Sequence, residues 1–372
     1  IELNGEAVAY PVIVPYTVSG TALNPGDHNA TNGEVRIESG RVADIEIDVV
    51  SDGVSEPDET ITMVLGAPNN AVHGTNTSHT ITVSEQNAQP MVDIQLEQQG
   101  RRTSTVLNSG GLTGVLSYVL DDPANFHVFD WSNSDSGLFE PVSANDPAYL
   151  IDPQGMLAGL YDLRVAVTDD GAPALTTEAS TLVKIVDEYP LLTINEDVDG
   201  DGNSDADEGT GDFDGDRIPD YLDNSTFTNV LELNTSNLRL ETSPGLRLRL
   251  GASSFEAGEP FAGIDEQSVL VDVDHGYPSD IADFEVQGVR PGGTAQVVIP
   301  LSSSMPQASV YQHYAFAEWR NFDTTGGDEI GSASGGHGAC PSPGSPLYGS
   351  GLAVGSSCLQ LLITDGGAND SD

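Results

Sequence analysis

Residues 159–171 read GLYDLRVAVTDDG, and the pattern of this stretch decides the fold class. Apolar side chains occupy every second position from Tyr161 to Val167, with polar or small residues between them. A period of two separates the side chains onto two faces, so the run predicts a β-strand with one face on a core. The Asp-Asp-Gly that follows is typical of a turn.

Runs of this kind recur along the chain at intervals of about ten residues, separated by turn-forming residues. Helical periodicity is almost absent. Regularly spaced short strands favour an all-β chain built from antiparallel β-sandwiches of the immunoglobulin type in series. The further predicted strands lie at 8–18, 44–50, 60–65, 79–83, 180–186, 246–250, 268–273, 295–301 and 359–364.

An acidic segment interrupts the strands and carries the strongest chemical signal. Residues 197–208, which we call loop 1, read DVDGDGNSDADE and match the calcium loop D-x-[DN]-x-[DN]-G-x5-E at every specified position. Ca²⁺ takes six to eight oxygen ligands, including a bidentate carboxylate, and this spacing supplies them. Gly202 permits the bend at position 6. The predicted ligands are Asp197, Asp199, Asp201, the Asn203 carbonyl, Asp205 and Glu208.

A second stretch at 212–223, DFDGDRIPDYLD, repeats this spacing, and we call it loop 2. It departs from the motif at position 6, where Arg217 replaces glycine, and at position 12, where Asp223 is shorter than glutamate. Two Ca²⁺ sites are therefore expected, with a disordered acidic linker as the alternative. Mg²⁺ is disfavoured because it demands tighter octahedral geometry. The predicted ligands of loop 2 are Asp212, Asp214, Asp216, the Ile218 carbonyl, Asp220 and Asp223.

No convincing amphipathic helix flanks either loop, so paired EF-hands are not expected. The tandem D-x-D-G-D-x-x-x-D spacing over 195–224 instead resembles thrombospondin type 3 repeats. That resemblance implies a chain wrapped around calcium ions with little apolar core of its own. Chelation is then expected to loosen a hinge at 195–225 and to leave the disulfide-bearing segment folded.

The segment 1–88 resembles a Calx-beta domain through VPYTVSGTA (14–22), GEVRIESG (33–40) and SDGVSEPDETITMVL (51–65). The resemblance implies a seven-stranded sandwich, with calcium at one end in some members. A solvated acidic turn is the alternative to calcium here. The first strand starts so close to residue 1 that we expect an upstream continuation or a strand from elsewhere, and an open edge could accept a neighbour's strand. The candidate ligands are Asp52, Glu56, Asp58 and Glu59.

The segment 89–190 resembles PKD and cadherin-like sandwiches through FDWSNSD (129–135) and the strand quoted first. Trp131 is expected in the core. Asp169, Asp170 and Glu188 are secondary calcium candidates by analogy with cadherin-like modules. The acidic segment then occupies 191–225 as an irregular calcium-binding region between sandwiches.

The segment 226–372 resembles the bacterial choice-of-anchor U domain. The matching stretches are DFEVQGVRPGGTAQVVIPL (283–301), YAFAEWRNFD (314–323) and the region from CPSPG at 340 to the DGGAND ending. The resemblance implies a bacterial cell-surface protein whose anchor lies outside this chain. Four residues near the end are further cation candidates: Asp365, Asn369, Asp370 and Asp372.

Cys340 and Cys358 bracket a segment rich in Gly, Pro and Ser that has too little apolar surface to fold alone. A disulfide between them would stabilise the fold by about 3 kcal/mol and would indicate an oxidising, extracellular compartment. Two free thiols are the alternative.

The charge balance restricts the possible partners. The 372 residues include 58 acidic and 12 basic residues, giving a formal net charge of −46. Nucleic acid is excluded as a partner because phosphate binding needs clustered Lys and Arg. No run of about 18 apolar residues exists, so no membrane span is expected. Cations are the partners that this charge favours.

No catalytic motif is present, and the seven histidines are dispersed, so no enzymatic activity is expected. Three classes of function remain. The first is a calcium-stiffened stalk or adhesin region that contacts cell-surface ligands or other protein chains. The second is a subunit of an extracellular filament or sheath, a homopolymer assembled by strand exchange. The third is an accessory region of a larger secreted hydrolase.

Overall fold

The computed structural model describes residues 1–50, 57–84, 87–121, 125–138, 146–234, 236, 238–264, 277, 279–315, 318–336 and 339–371. Asp52, Glu56, Asp372 and the predicted strand 268–273 lie outside these residues. The chain divides into two compact units. Unit 1 contains Ile1–Pro90, Asp121–Phe126 and Asp169–Leu175, and unit 2 contains Met91–Leu120, His127–Thr168 and Thr176–Asp372.

The predicted all-β fold is confirmed. Among the described residues, helix is confined to three short turns, which are α1 (Asp205–Glu208), a 3₁₀ turn (Asp220–Leu222) and α2 (Ala252–Ala257). No described helix has the length and apolarity that a membrane crossing requires.

Unit 1 is built on a four-stranded antiparallel sheet of order β2-β1-β3-β4. Val12 and Val14 of β1 face Ile37 and Val35 of β2, and these four residues form a small core on one face of the sheet. The strands are β1 (Val12–Gly20), β2 (Gly33–Ile37), β3 (Glu59–Leu65) and β4 (Ser78–Val83).

The strand predicted at 44–50 is wrong. Among the described residues, this segment forms no strand and pairs through one isolated bridge, His28↔Val49. Ile45 packs on the core of unit 1 while Val49 is exposed, so the apolar positions do not all share one buried face. The described part of unit 1 therefore shows four strands, where the Calx-beta resemblance implies seven.

The first part of unit 2 is a two-sheet sandwich, with sheets β10-β8-β5-β6 and β7-β12-β11-β9. Its strands β11 and β12 pair over ten residues, and alternate residues of β11 such as Leu163 and Val165 are buried. Trp131 lies in this core with its ring 5.0 Å from that of Tyr149, as predicted. The strands are β5 (Met91–Gln98), β6 (Arg101–Arg102), β7 (Thr105–Leu107), β8 (Thr113–Leu120), β9 (His127–Asp130), β10 (Ala148–Ile151), β11 (Gly159–Asp169) and β12 (Thr176–Val186).

The C-terminal part of unit 2 is centred on a six-stranded sheet of order β13-β14-β19-β24-β22-β23, with three two-stranded sheets around it. Its strands are β13 (Val230–Glu232), β14 (Arg239–Thr242), β15 (Arg247–Leu250), β16 (Gly263–Ile264), β17 (Ile281–Ala282), β18 (Phe284–Gln287), β19 (Thr294–Pro300), β20 (Gln312–Ala315), β21 (Glu318–Asn321), β22 (Glu329–Ala333), β23 (Gly349–Ser350) and β24 (Cys358–Thr364).

The predicted disulfide between Cys340 and Cys358 is confirmed. Cys358 is the first residue of β24, which lies between β19 and β22 in the six-stranded sheet. The bond therefore ties the Gly-, Pro- and Ser-rich segment to a central strand of the domain.

The two parts of unit 2 are packed directly against each other. Asp93 of β5 accepts hydrogen bonds from Arg247 and Arg249 of β15 at 3.2 and 3.3 Å. Leu160 and Leu182, from β11 and β12, pack on the C-terminal core. The finer division of this unit at residues 190 and 225 stays a prediction.

Candidate metal centre

Loops 1 and 2 turn through the same backbone conformation. The N–H at position 6 donates to the first aspartate in both loops, from Gly202 to Asp197 and from Arg217 to Asp212, each at 3.2 Å. The φ angles at position 6 are 101° for Gly202 and 76° for Arg217. Arg217 thus adopts a left-handed conformation that glycine favours, and the loop keeps its shape despite the substitution.

The carboxylate at position 9 closes each loop in the same manner. Asp205 accepts a hydrogen bond from the N–H of Val198 at 2.9 Å, and Asp220 accepts one from Phe213 at 2.7 Å. In both loops the donor is the residue at position 2. One oxygen at position 9 is therefore engaged in holding the loop, which departs from a purely ligating role.

Backbone donors also orient the carboxylates at positions 3 and 5. The N–H at position 5 donates to position 3, and the N–H at position 7 donates to position 5. The bonds are Asp201 to Asp199 at 3.1 Å, Asp216 to Asp214 at 3.3 Å, Asn203 to Asp201 at 2.7 Å and Ile218 to Asp216 at 2.7 Å. The predicted ligation by the Asn203 and Ile218 carbonyls stays a prediction.

These bonds bring three carboxylates together in each loop. One oxygen from each of Asp197, Asp199 and Asp201 lies within 4.8 Å of the others, and the same holds for Asp212, Asp214 and Asp216. Ligands at about 2.3–2.6 Å from one Ca²⁺ ion are at most about 5 Å apart. The geometry of both triads therefore fits a single cation of this size.

The two triads differ in burial. Asp197 and Asp201 are exposed and Asp199 is half-buried. Asp212, Asp214 and Asp216 are only 3%, 4% and 2% exposed. Three carboxylates that are this close together and shielded from water repel one another strongly. A bound cation should therefore stabilise loop 2 more than loop 1.

Several buried carboxylate oxygens lack a hydrogen-bond partner among the described residues. In loop 2 they are Asp212 Oδ1 and Asp214 Oδ2, and in loop 1 they are Asp199 Oδ2 and Glu208 Oε2. An unsatisfied buried acceptor costs about 1–3 kcal/mol, and more when it is charged. A cation bound at each triad would satisfy these oxygens, and the donor set is therefore suited to a hard metal ion.

Burial and mutual repulsion raise the pKa values of these groups. Burial, followed by the charge of Asp212, raises the pKa of Asp214 to about 6. Burial, followed by the charge of Asp214, raises the pKa of Asp223 to about 8. In loop 1, burial and the charges of its aspartates raise the pKa of Glu208 to about 7. Without a metal ion, these carboxyl groups therefore keep their protons up to a higher pH than exposed carboxyl groups do.

The residues at position 12 belong to the same clusters. The charges of Asp214 and Asp212 contribute to the raised pKa of Asp223, and the charge of Asp223 contributes to the raised pKa of Asp216. The charges of Asp199, Asp201 and Asp197 likewise contribute to the raised pKa of Glu208. Asp223 is thus placed with its loop although it is shorter than the glutamate of the motif.

Residues of the sandwich form one wall of loop 2, and no motif in the sequence indicated them. Ser104 donates its hydroxyl to Asp212 Oδ2 at 2.6 Å. The N–H of Asp212 donates to the carbonyl of Arg102 at 3.0 Å, and Arg102 returns a hydrogen bond to the carbonyl of Phe213 at 3.5 Å. These partners are more than 100 residues away in the chain, so no local motif could have revealed them.

Several of the secondary acidic candidates accept or donate hydrogen bonds within the fold. Asp169 is buried, and it accepts hydrogen bonds from Asn87, Gly171 and Leu175. Asn369 joins Asp328 to the chain at Asp323. Asp370 accepts the N–H of Gly366 within a turn, Asp365 accepts the N–H of Gly292 from another part of the chain, and Asp58 is exposed. These hydrogen bonds give the groups structural roles.

No family model matches the chain, and no curated protein matches it. Solved structures similar to the chain include the protocadherin gammaB4 extracellular domain, with 20% identity, 47% of this chain and 28% of that chain covered, and a TM-score of 0.26. The human desmocollin-1 ectodomain is 15% identical, with 48% of this chain and 30% of that chain covered and a TM-score of 0.25. The protocadherin gammaB7 EC3-6 cis-dimer is 14% identical, with 77% of this chain and 63% of that chain covered and a TM-score of 0.23.

The chain thus spans less than two thirds of each of these three structures. At such TM-scores the likeness carries no argument about architecture or function. The resemblances of the individual segments to Calx-beta, thrombospondin type 3 and choice-of-anchor U families stay predictions.

Proposed function

We propose that loops 1 and 2 each bind one Ca²⁺ ion and that the bound calcium stabilises unit 2 as a structural region of an extracellular protein. The ligands at the first site are carboxylates of Asp197, Asp199, Asp201 and Glu208, and those at the second are carboxylates of Asp212, Asp214, Asp216 and Asp223. Asp205 and Asp220 hold the loops closed, and the carbonyls of Asn203 and Ile218 complete the sets.

The buried triad of loop 2 carries this proposal. Asp212, Asp214 and Asp216 are almost fully buried, their oxygens converge, and two of these oxygens have no hydrogen-bond partner among the described residues. Such a cluster is costly unless a cation neutralises it. The all-oxygen donor set favours Ca²⁺ over metals that prefer sulfur or nitrogen, and its many carboxylates favour Ca²⁺ over Mg²⁺.

The position of loop 2 supports a structural role. Ser104 and Arg102 of the sandwich contact the loop on one side, and the carbonyl of Asp216 accepts the N–H of Leu250, at the end of β15, at 2.9 Å. A metal ion that orders loop 2 therefore strengthens contacts to both parts of unit 2. The disulfide supports an oxidising compartment outside the cytoplasm.

We propose further that this region serves as a non-enzymatic stalk or adhesin segment that contacts other protein chains or cell-surface ligands. Its function is then mechanical, because a calcium-bound unit resists unfolding and transmits force along the chain. Bacterial origin and the accessory role beside a hydrolase stay predictions.

Isothermal titration of the metal-free chain with CaCl₂ tests the two sites. The wild-type chain is expected to bind two ions. Asp214→Asn should remove the second site and Asp199→Asn should weaken the first, because each substitution replaces a ligand charge. Asp207→Asn is the matched control, since Asp207 is an exposed residue of loop 1 at a position that the motif does not specify.

The control variant should bind calcium as the wild type does. Equal weakening by all three substitutions would show a general charge effect and would contradict specific sites. The absence of measurable binding by the wild-type chain at millimolar calcium would reject the proposal.

The open edge of β4 favours a second candidate function, self-assembly by strand addition. Among the described residues, β4 pairs only with β3, and most of its side chains are exposed. An unpaired edge can accept a strand from another chain. Light scattering across a concentration series tests this, and Thr82→Lys at the exposed edge should abolish any self-association. A wild-type chain that stays monomeric at high concentration would exclude it.

A further inference from the structure

Arg217 occupies a position where its side chain type is unexpected. Its φ of 76° matches that of the glycine at the first turn of loop 2, Gly215, at 81°. This left-handed conformation is energetically unfavourable for a residue with a side chain. The equivalent residue of loop 1, Gly202, is exposed, and a Cβ atom added there would have no neighbour within 4 Å. The presence of arginine at this position of loop 2 therefore requires an explanation that does not apply to loop 1.

The side chain of Arg217 provides that reason, because it is 2% exposed and inserts into the C-terminal part of unit 2. It donates to the carbonyl of Leu250 at 2.6 Å and forms an ion pair with Glu285 at 2.8 Å. Its guanidinium also lies over the ring of Phe255, 5.6 Å from the centroid. These partners belong to the end of β15, to β18 and to α2.

The residues beside Arg217 enter the same region. The carbonyl of Asp216, a candidate ligand, accepts the N–H of Leu250. Ile218 is 1% exposed and belongs to the C-terminal core together with Leu248 and Phe255. Loop 2 is thus integrated into the core, contrary to the expectation that the acidic segment has little apolar contact of its own.

One residue consequently connects the two environments. The backbone N–H of Arg217 donates to Asp212 Oδ2 inside the carboxylate cluster, while its guanidinium binds Leu250 and Glu285. Without a cation, repulsion among the carboxylates opposes the loop conformation that holds this N–H in place. With a cation, the loop is held and the guanidinium remains directed into the C-terminal core.

We propose that Arg217 is a positioning residue that couples metal capture in loop 2 to the stability of β15, α2 and β18. This inference rests on the proposed function, because it requires a cation at loop 2. Since binding and ordering are thermodynamically linked, the arginine makes the local stability of these elements depend on calcium. Its role is to transmit the effect of the metal ion, and it does not ligate the ion.

Hydrogen exchange measured by mass spectrometry on the full chain tests the coupling. In the wild-type chain, calcium should slow exchange in peptides that cover 247–257 and 284–287 by about tenfold or more, the effect of one charge-assisted hydrogen-bond network. Arg217→Gly relieves the backbone conformation and removes the side chain. It should still bind two calcium ions by titration, but the calcium-dependent slowing in these peptides should be lost.

Glu285→Gln provides a second variant that leaves loop 2 untouched, and it also serves if Arg217→Gly does not fold. It should reduce the calcium-dependent slowing in the same peptides. Arg320→Gln is the matched control, because Arg320 forms an exposed pair with Glu318 in the same part of the molecule and should leave the slowing unchanged.

The outcomes distinguish the coupling from the metal site itself. If the wild-type chain binds no calcium, the proposed function fails. If the chain binds two ions but Arg217→Gly keeps the full calcium-dependent slowing, the metal sites stand and the role assigned to Arg217 is rejected. If Arg217→Gly does not fold, the same conclusion follows from full slowing in Glu285→Gln.

Discussion

At the scale of single residues, the carboxylates of loop 2 combine two properties that rarely coexist. Asp214 and Asp216 are buried, and each lies beside further acids of the same loop. Burial without a counter-charge is avoided in folded proteins, where an acid usually keeps its proton instead. The raised pKa values of Asp214 and Asp223 express this conflict, and a divalent cation resolves it.

The stability of the metal-free chain should therefore depend more strongly on pH than that of the calcium-bound chain. The pKa of Asp214 is raised to about 6 and that of Asp223 to about 8 in the folded, metal-free chain. Folded groups with raised pKa values bind more protons than the unfolded chain, so stability falls as pH rises from about 4 to 8. Calcium competes with those protons, so its apparent affinity should rise over the same interval.

Thermal unfolding and calcium titrations at pH 5, 6, 7 and 8 check this. The melting temperature of the dialysed metal-free chain should decrease with pH, and saturating calcium should remove most of that decrease at pH 7–8. A calcium affinity that does not change between pH 6 and 8 would contradict the role of these protonated carboxylates.

The Ser104 hydroxyl orients Asp212 from outside the loop, at 2.6 Å. Ser104→Ala should weaken calcium binding at loop 2 by about tenfold, which is the usual effect of removing a partner that orients a metal ligand. Binding at loop 1 should not change. Ser180→Ala, at an exposed position of β12, is the control. Equal affinities of both variants and the wild type would show that Ser104 does not orient the site.

At the scale of elements, the disulfide anchors an irregular segment to the six-stranded sheet. The bond closes a loop of 18 residues between Cys340 and the start of β24. Replacing both cysteines by serine should lower the free energy of unfolding by about 3 kcal/mol, chiefly because the unfolded chain regains freedom. Denaturant unfolding in saturating calcium measures this, and unchanged stability would contradict it.

Element identity was predictable where local pattern dominates. The alternation in β11 and β12 and the spacing in loops 1 and 2 are local properties of the sequence, and the structure shows both the strands and the converging aspartates. The segment 44–50 has the same alternation, but among the described residues it pairs through one isolated bridge and forms no strand. Whether such a segment forms a strand depends on which other strand lies beside it in the fold. The periodicity of the sequence carries no information about that.

The setting of loop 2 was not predictable for the same reason. Ser104, Leu250 and Glu285 surround it from three separate parts of the chain. The only local signal was Arg217 at a glycine position, which the sequence alone marks as a weaker match to the motif. The structure shows that this departure connects the loop to a core.

At the scale of the whole molecule, the basic residues are distributed unevenly. The chain has 12 basic residues against 58 acidic ones. Arg101 and Arg102 donate to carbonyls of the loops, Arg217 belongs to loop 2, and the charge of Arg247 acts on Asp214. The carboxylates of the loops nevertheless outnumber these basic residues and need metal ions as well.

Chelation should therefore affect unit 2 as a whole. Loop 2 contacts both parts of this unit, whereas the strands β1–β4 belong to unit 1. Removing calcium should accelerate limited proteolysis within 191–257 and in the C-terminal sheet, while cleavage within 1–50 stays unchanged. This result differs from that of a simple hinge, for which only 195–225 would become sensitive. Equal cleavage with and without chelator would contradict a stabilising role of calcium.

A crystal structure of the full chain grown in millimolar CaCl₂, with anomalous data to locate the metal, would show directly whether the loops bind calcium. We expect an anomalous peak in loop 2 at about 2.3–2.6 Å from oxygens of Asp212, Asp214, Asp216 and Asp223. We expect a second peak among Asp197, Asp199, Asp201 and Glu208. A well-ordered loop 2 with water or no density at the centre of its carboxylates would show that loop 2 is not a calcium site.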